Sequence, residues 1–221
     1  MAKRPNTIVF FIIAYYPIIT MNPRKFKLFP NEEFLSIPEL EKKLCYRHVP
    51  LNEFESPAEM EEVRQKGLSN KASLVAQKLG KKHHTQILSS YIPEVSIRPV
   101  HPSVGYGLFA EELIKKDQYV GEYTGIVRKN DRRYFEPLNN YCYEYPVPDE
   151  IGRSYVIDAT AGCLTRFINH SSSPNLKPIH AYWEGFYHLI FLSLRAIHPG
   201  EQLTFDYGET YWYIREKPVS L

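Results

Sequence analysis

This 221-residue chain should fold as a mostly β protein with flanking helices, an α+β arrangement in which a small N-terminal helical lobe precedes a compact β region. Three observations lead there. Helix-start signals cluster before residue 92, and short β-branched and aromatic runs cluster after it. Tyrosine and proline are both abundant, at 17 each. Aromatic chains broken this often by proline build short strands and turns rather than helix bundles. The length suits one domain with an extension, enough to bury a sizeable core.

Residues 1–21 come first. "MAKRPNTIVFFIIAYYPIIT" carries basic residues and then an apolar run from Ile8 to Ile19. The run falls short of the ~20 residues a spanning helix needs, so no membrane span is expected. It has the look of a signal-peptide apolar region without the small-residue cleavage pattern. Met21 opens a polar "MNPRKFK" stretch that reads like a natural start. A signal-like segment, a start codon placed too early and a buried strand all remain open.

Residues 22–92 read as a helical flank. In "SIPELEKKL", Ser36 is the N-cap, Pro38 lies in the first turn and Glu39 completes a capping box. "SPAEMEEVRQKG" repeats the device with Ser56, Pro57 and Glu59, and Gly67 should stop the helix. A third helix is expected from Asn70 to Leu79, ended by Gly80. Beyond Ile92, "VSIRPV", "QYVGEYTGIV", "SYVIDA" and "HLIFLSLRAI" alternate with Gly, Pro and Asn turns, the pattern of short strands. No internal repeat or heptad is present.

Charge and cysteine content narrow the function. With 27 basic and 25 acidic residues, the net charge of +2 gives no mandate for direct nucleic-acid binding. Basic runs at Arg24–Lys27, Lys78–His84 and Arg128–Arg133 read as solvated faces. Cys45, Cys142 and Cys163 form no CxxC pair, which argues against structural zinc and a disulfide framework. A reducing compartment, the cytoplasm of the producing cell, fits best.

The densest chemistry lies in "RFINHSSSPN", Arg166 to Asn175. A nucleophilic serine would be expected on a G-x-S-x-G elbow, which is missing around Ser171–Ser173. His170 lacks a second histidine at helical spacing, and His83–His84 lie beside lysines and read as exposed. Three further stretches matter: "VGYGLFA" with Gly105, Tyr106 and Gly107; "GEYTG" from Gly121 to Gly125; and "EQLTFDYG" from Glu201 to Gly208. Taken alone, Gly-Tyr-Gly reads as a tight turn.

In that order, G-Y-G, E-Y-x-G, R-F-I-N-H-S-x-x-P-N and E-Q-L-T-F-D-Y-G resemble the SET domain of protein lysine methyltransferases. The likeness covers about Val95 to Gly208, so the SET domain is drawn at 93–208 and 209–221 becomes an aromatic C-terminal flank. The resemblance implies a pseudoknotted β fold, S-adenosylmethionine as methyl donor and no metal. The compact size also resembles the short bacterial SET proteins of chlamydiae. For an intracellular bacterium, that likeness would make the protein an effector sent to the host nucleus.

The resemblance implies roles residue by residue. Gly105 and Gly107 would allow close approach of the cofactor, with Tyr106 lying against it. Asn169 would offer an amide oxygen, the His170 backbone would meet the adenine, and Trp212 could stack on it. Tyr207 is the expected central catalytic residue and would also contact the cofactor, with Tyr141 beside it. Tyr123, Tyr141, Phe205 and Tyr207 would wall the lysine channel. Phe205, two residues before Tyr207, implies addition of more than one methyl. Arg166 and Phe167 would brace the knot and Asn175 would hold its own turn, while Tyr143 and Tyr145 suit ordinary strand packing. Ser172 stands where many relatives have cysteine and the tail "ETYWYIREKPVSL" has none, so no post-SET zinc is expected. Closure would fall to Tyr211, Trp212 and Tyr213. The expected partner is a basic protein, a histone or histone-like chain. Glu122, Glu144, Asp149 and Asp158 could attract it, although each reads more simply as a surface or turn residue. A catalytically silent SET-fold module binding a lysine-rich partner is the alternative, and the oligomeric state is unspecified.

Overall fold

A computed structural model describes residues 24–130, 139–148, 152–213 and 215. The apolar segment of residues 1–21, the Asp131–Arg133 part of the third basic run and Asp149 lie outside the described residues. The strands are β1 (Phe26–Leu28), β2 (Glu33–Leu35), β3 (Glu53–Phe54), β4 (Val95–His101), β5 (Gly105–Ala110), β6 (Tyr119–Tyr123) and β7 (Ile126–Lys129). They continue with β8 (Cys142–Pro148), β9 (Ser154–Asp158), β10 (Asn169–His170), β11 (Leu176–Trp183), β12 (Phe186–Ser193) and β13 (Thr204–Phe205). The helices are α1 (Ile37–Leu44), α2 (Pro57–Ser69), α3 (Leu74–Leu88) and the single turn α4 (Glu209–Trp212).

Four small sheets result, ordered β2-β1-β4-β5, β3-β7-β9-β8, β11-β12-β6 and β10-β13. The expected mostly β, α+β architecture holds. The flank before residue 92 is not purely helical, however. β1 pairs in parallel with β4, and β3 pairs in parallel with β7, so the flank supplies strands to the sheets of the β region. Strands of two or three residues carry too few alternating positions to declare themselves in sequence.

The predicted caps form. Glu39 accepts hydrogen bonds from the Ser36 backbone N–H at 2.7 Å and from its hydroxyl at 2.6 Å. The Ser56 oxygen accepts from the Glu59 N–H at 3.1 Å, with Pro57 at the first helical position. The stops differ from expectation. α2 passes through Gly67 to Ser69, and α3 runs from Leu74 through Gly80 to Leu88. Both glycines are notches rather than ends. A Cβ on Gly67 would stand 1.9 Å from the Gly185 carbonyl oxygen, and one on Gly80 would stand 1.9 Å from that of Tyr182. The two helices therefore lay backbone directly against the β11–β12 hairpin, and the Tyr182 hydroxyl seals the contact by donating to Gly67 O at 3.1 Å.

His83 is also corrected. It is buried on the inner face of α3, where its ring stacks on Tyr119 at 5.3 Å, while His84 stays half-buried against Trp183. Arg128, read as part of a solvated run, is buried and paired with Asp158 at 2.8 Å. The main core joins Leu40, Val63, Ile97, Leu108, Val127, Ile157, Phe191 and Leu203 across three sheets and α1 and α2. A smaller cluster of Ile87, Tyr119, Ala181, Ile190 and Leu192 seats α3.

Candidate active site

The segment Arg166–Asn175 is pinned from three directions. β10 runs parallel to β13, pairing Asn169 with Thr204 and His170 with Phe205. Asn175 was expected to hold its own turn. Instead its amide clamps a distant strand, donating to Gln202 O at 2.7 Å and accepting from Thr204 N at 2.9 Å. Arg166 braces the near end as expected, donating from Nε to Ala159 O at 2.9 Å. Its guanidinium lies 4.2 Å from the Tyr141 ring centre and 5.2 Å from those of Tyr46 and Phe167.

A cleft of about 660 Å³ opens beside this junction. All four expected channel residues, Tyr123, Tyr141, Phe205 and Tyr207, line it. Phe205 is buried, with its ring 4.7 Å from Tyr207 and 5.1 Å from Phe191. The Tyr123 hydroxyl donates to Tyr141 O at 2.9 Å, so one wall residue fixes the backbone of another. Tyr143 also lines the cleft, in edge or tilted contact with Tyr123 and Phe205, so it does more than pack its strand. Tyr145 keeps the packing role expected of it, fully buried with its hydroxyl accepting from Tyr187 N. Tyr211, Ile168, Arg166 and Arg215 complete the lining on this side.

Tyr207 sits where the segments meet. Its hydroxyl donates to Ile168 O at 3.0 Å, and its N–H donates to His170 Nδ1 at 3.2 Å. Burial pushes its phenol above the ordinary value, and the nearby phenols of Tyr211 and Tyr141 push further in the same direction. A neutral phenol whose proton is committed to a carbonyl cannot serve as a base near neutral pH. It can present its oxygen lone pairs as acceptors.

Of the expected cofactor residues Tyr207 lines the cleft, and the others form a separate face that does not. Gly105 adopts φ +83° at the β4–β5 turn, and Tyr106 beside it is about one-third exposed. A Cβ on Gly107 would stand 2.6 Å from Gln202 Nε2, 2.7 Å from Val100 Cγ2 and 3.1 Å from Asn169 Nδ2. Asn169 donates to Tyr106 O at 3.1 Å, which leaves its amide oxygen available. The His170 ring meets Trp212 edge-on at 4.9 Å, and Trp212 lies nearly parallel to Tyr207 at 6.1 Å. Trp212 Nε1 is buried without a hydrogen-bond partner among the described residues. Tyr211 also packs on Tyr207, at 4.7 Å, but Tyr213 is 89% exposed and closes nothing.

Of the acidic residues that could draw in a basic chain but read more simply as surface or turn residues, Glu122 is buried and paired with His188 at 2.8 Å, with Asn52 donating to the same oxygen. Asp158 is engaged by Arg128, Asn139 and Thr160. Glu144 alone remains in the cleft among the described residues. Reasoning from sequence missed Gln202, which backs Gly107, and the arginines of the cleft. Gln202 lies within the "EQLTFDYG" motif, so its position was available as a signal.

Residues 105–208 match the model of the SET domain. Human "Histone-lysine N-methyltransferase EHMT1" is 34% identical over 122 residues, covering 53% of this chain and 9% of that relative. Zebrafish "N-lysine methyltransferase KMT5A-A" is 32% identical over 138 residues, covering 58% of this chain and 40% of the relative. Among solved structures, a humanized mutant of Chaetomium thermophilum Polycomb Repressive Complex 2 overlaps 56% of this chain and 16% of its own at 29% identity and a TM-score of 0.47. The chain thus spans well under two thirds of each relative named.

Proposed function

We propose that this chain, whose residues 105–208 match the model of the SET domain, works as an S-adenosylmethionine-dependent protein lysine N-methyltransferase. One observation carries this reading: two chemically distinct faces converge on a single, partly buried phenol. The aromatic cleft reaches Tyr207 from one side, and the glycine–asparagine–tryptophan face reaches it through His170 from the other.

The second face fits the proposed cofactor. Gly107 lets the side chains of Gln202, Val100 and Asn169 close up against its Cα, Asn169 offers a carbonyl-type acceptor, and Trp212 has an aromatic plane with a buried donor that is unpaired among the described residues. When bound, the cofactor would supply an electrophilic methyl on a sulfonium. The protein residues do the rest. Tyr123, Tyr141, Phe205 and Tyr207 strip water from an entering lysine and fix its direction. Lysine in water has a pKa of about 10.4. Desolvation by these rings disfavours its ammonium and leaves more of the amine that can attack. The Tyr207 oxygen, its proton held by Ile168 O, can accept a hydrogen bond from that amine and keep its lone pair on line.

The substrate we favour is a histone or histone-like basic protein, in keeping with the names of the relatives. Phe205, lacking a hydroxyl that would anchor the amine, favours more than one methyl addition. Transfer of a radiolabelled methyl to protein lysine, compared with Tyr207→Phe, tests the reading. Label well above the variant is expected; label equal to it would leave a binding module without catalysis.

A further inference from the structure

We propose that the cleft selects lysines that have a carboxylate side chain close by in the acceptor, and that Arg166 and Arg215 hold that carboxylate. This refines the methyltransferase reading and rests on it for the identity of the central lysine.

The charge lining the cleft is the opposite of what a uniformly basic segment would need. Glu144 is the one carboxylate among its described lining residues, and it already accepts from the Ser154 hydroxyl. Three arginines line the same space. Arg128 is neutralised by Asp158 at 2.8 Å and is buried. The other two have no carboxylate among the described residues. Arg166 gives its Nε to Ala159 O, and Arg215 donates to Asn140 Oδ1, Tyr211 O and Asn139 O, all neutral acceptors.

Their shape matters as much as their charge. Arg166 places its guanidinium carbon over the Tyr141 ring at 4.2 Å from the centre, and Arg215 over the Tyr211 ring at 4.1 Å. Contact with a ring restrains each guanidinium and displaces water from it, and the terminal nitrogens of Arg166 remain without a hydrogen bond among the described residues. A planar, weakly hydrated and pre-oriented fork is suited to a carboxylate, and much less to a neutral amide. Tyr141 and Tyr211 also flank Tyr207, so both cations stand within a few residues' reach of where the target lysine would end. The same field repels a second ammonium, so an all-basic flank is selected against as well as left unpaired.

The test uses a neutral peptide with one lysine and places Glu, Gln or Lys in turn at each of three positions on either side. Binding is followed by fluorescence anisotropy, which needs no chemistry, and methyl transfer is measured on the same set. At low ionic strength the best Glu position should bind at least about fivefold tighter than its Gln counterpart, with Lys weakest, and added salt should compress the difference. Arg215→Glu should reverse the order. Arg166→Lys, which keeps the charge and loses the fork, should reduce the preference. Equal binding of Glu and Gln peptides at every position, no measurable binding of any peptide, or a preference untouched by both variants would overturn the proposal. Transfer without a preference would sink this proposal alone, whereas a preference without transfer would sink the methyltransferase reading.

Discussion

Replacing Gly107 by alanine separates the two faces of the site. Against an ordinary contact of about 3.4 Å, Gln202 Nε2 and Val100 Cγ2 would each have to retreat by roughly 0.7–0.8 Å, and Asn169 Nδ2 by about 0.3 Å. The end of Gln202 is flexible, so part of this is absorbed. Val100 is set by strand β4 and Asn169 by its pairing with β13, so they move only with their strands. An overpacking cost of about 1–2 kcal/mol follows, which lowers Tm by about 4 °C in a domain of this size. The functional loss should be larger than the stability loss implies. Displacing Asn169 weakens a hydrogen bond to a charged group, worth about tenfold or more in cofactor affinity. Calorimetric titration of S-adenosylmethionine, alongside thermal melts, measures both. Gly200→Ala is the control: that residue has φ +89° with open space around it, so alanine there brings backbone strain without crowding the site. Equal cofactor affinity in the two variants would refute the assignment of this face.

Gly80→Ala should be far more damaging than its helical setting suggests. Its Cβ would meet the backbone oxygen and carbon of Tyr182 at 1.9 and 2.6 Å, a cost above about 3 kcal/mol, whereas alanine at exposed Lys81 should leave the melt unchanged. Phe205→Tyr should shift product mass spectra toward one methyl; an unchanged spectrum would count against Phe205 as the determinant. Burial lowers the His48 pKa to about 4, with Glu41 opposing weakly. Above the unfolded value near 6.5 its contribution is complete, and it is lost as pH falls toward 4, because only the unfolded chain takes up the proton readily. On the order of 2 kcal/mol should disappear across that window, and denaturant titrations of His48→Gln should lack that loss.

What could be read from sequence was mostly local. Ser36 with Glu39 and Ser56 with Glu59 specify their helix starts within four residues, and both caps form. Tyr123, Phe205 and Tyr207 lie in recognisable motifs, and the chain brings them together with Tyr141. What failed depended on distant partners. A glycine that ends a helix and one that lets a hairpin press against it look alike in sequence, so Gly67 and Gly80 misled. Arg128 reads as solvated until Asp158, thirty residues on, is seen beside it. Asn175 holds a strand twenty-seven residues away. The polarity of the cleft was misjudged for the same reason, since Glu122 turns inward to His188 and Arg215 enters from the tail.

The most direct measurement is a crystal structure with a lysine peptide and the demethylated cofactor product bound together. The lysine nitrogen should lie in the cleft between Tyr123, Tyr141 and Phe205, within hydrogen-bond reach of the Tyr207 oxygen. The cofactor should rest on Gly107, Asn169 and Trp212, its sulfur facing that nitrogen. A lysine bound outside the cleft, or a cofactor seated within the aromatic cleft itself, would contradict the account.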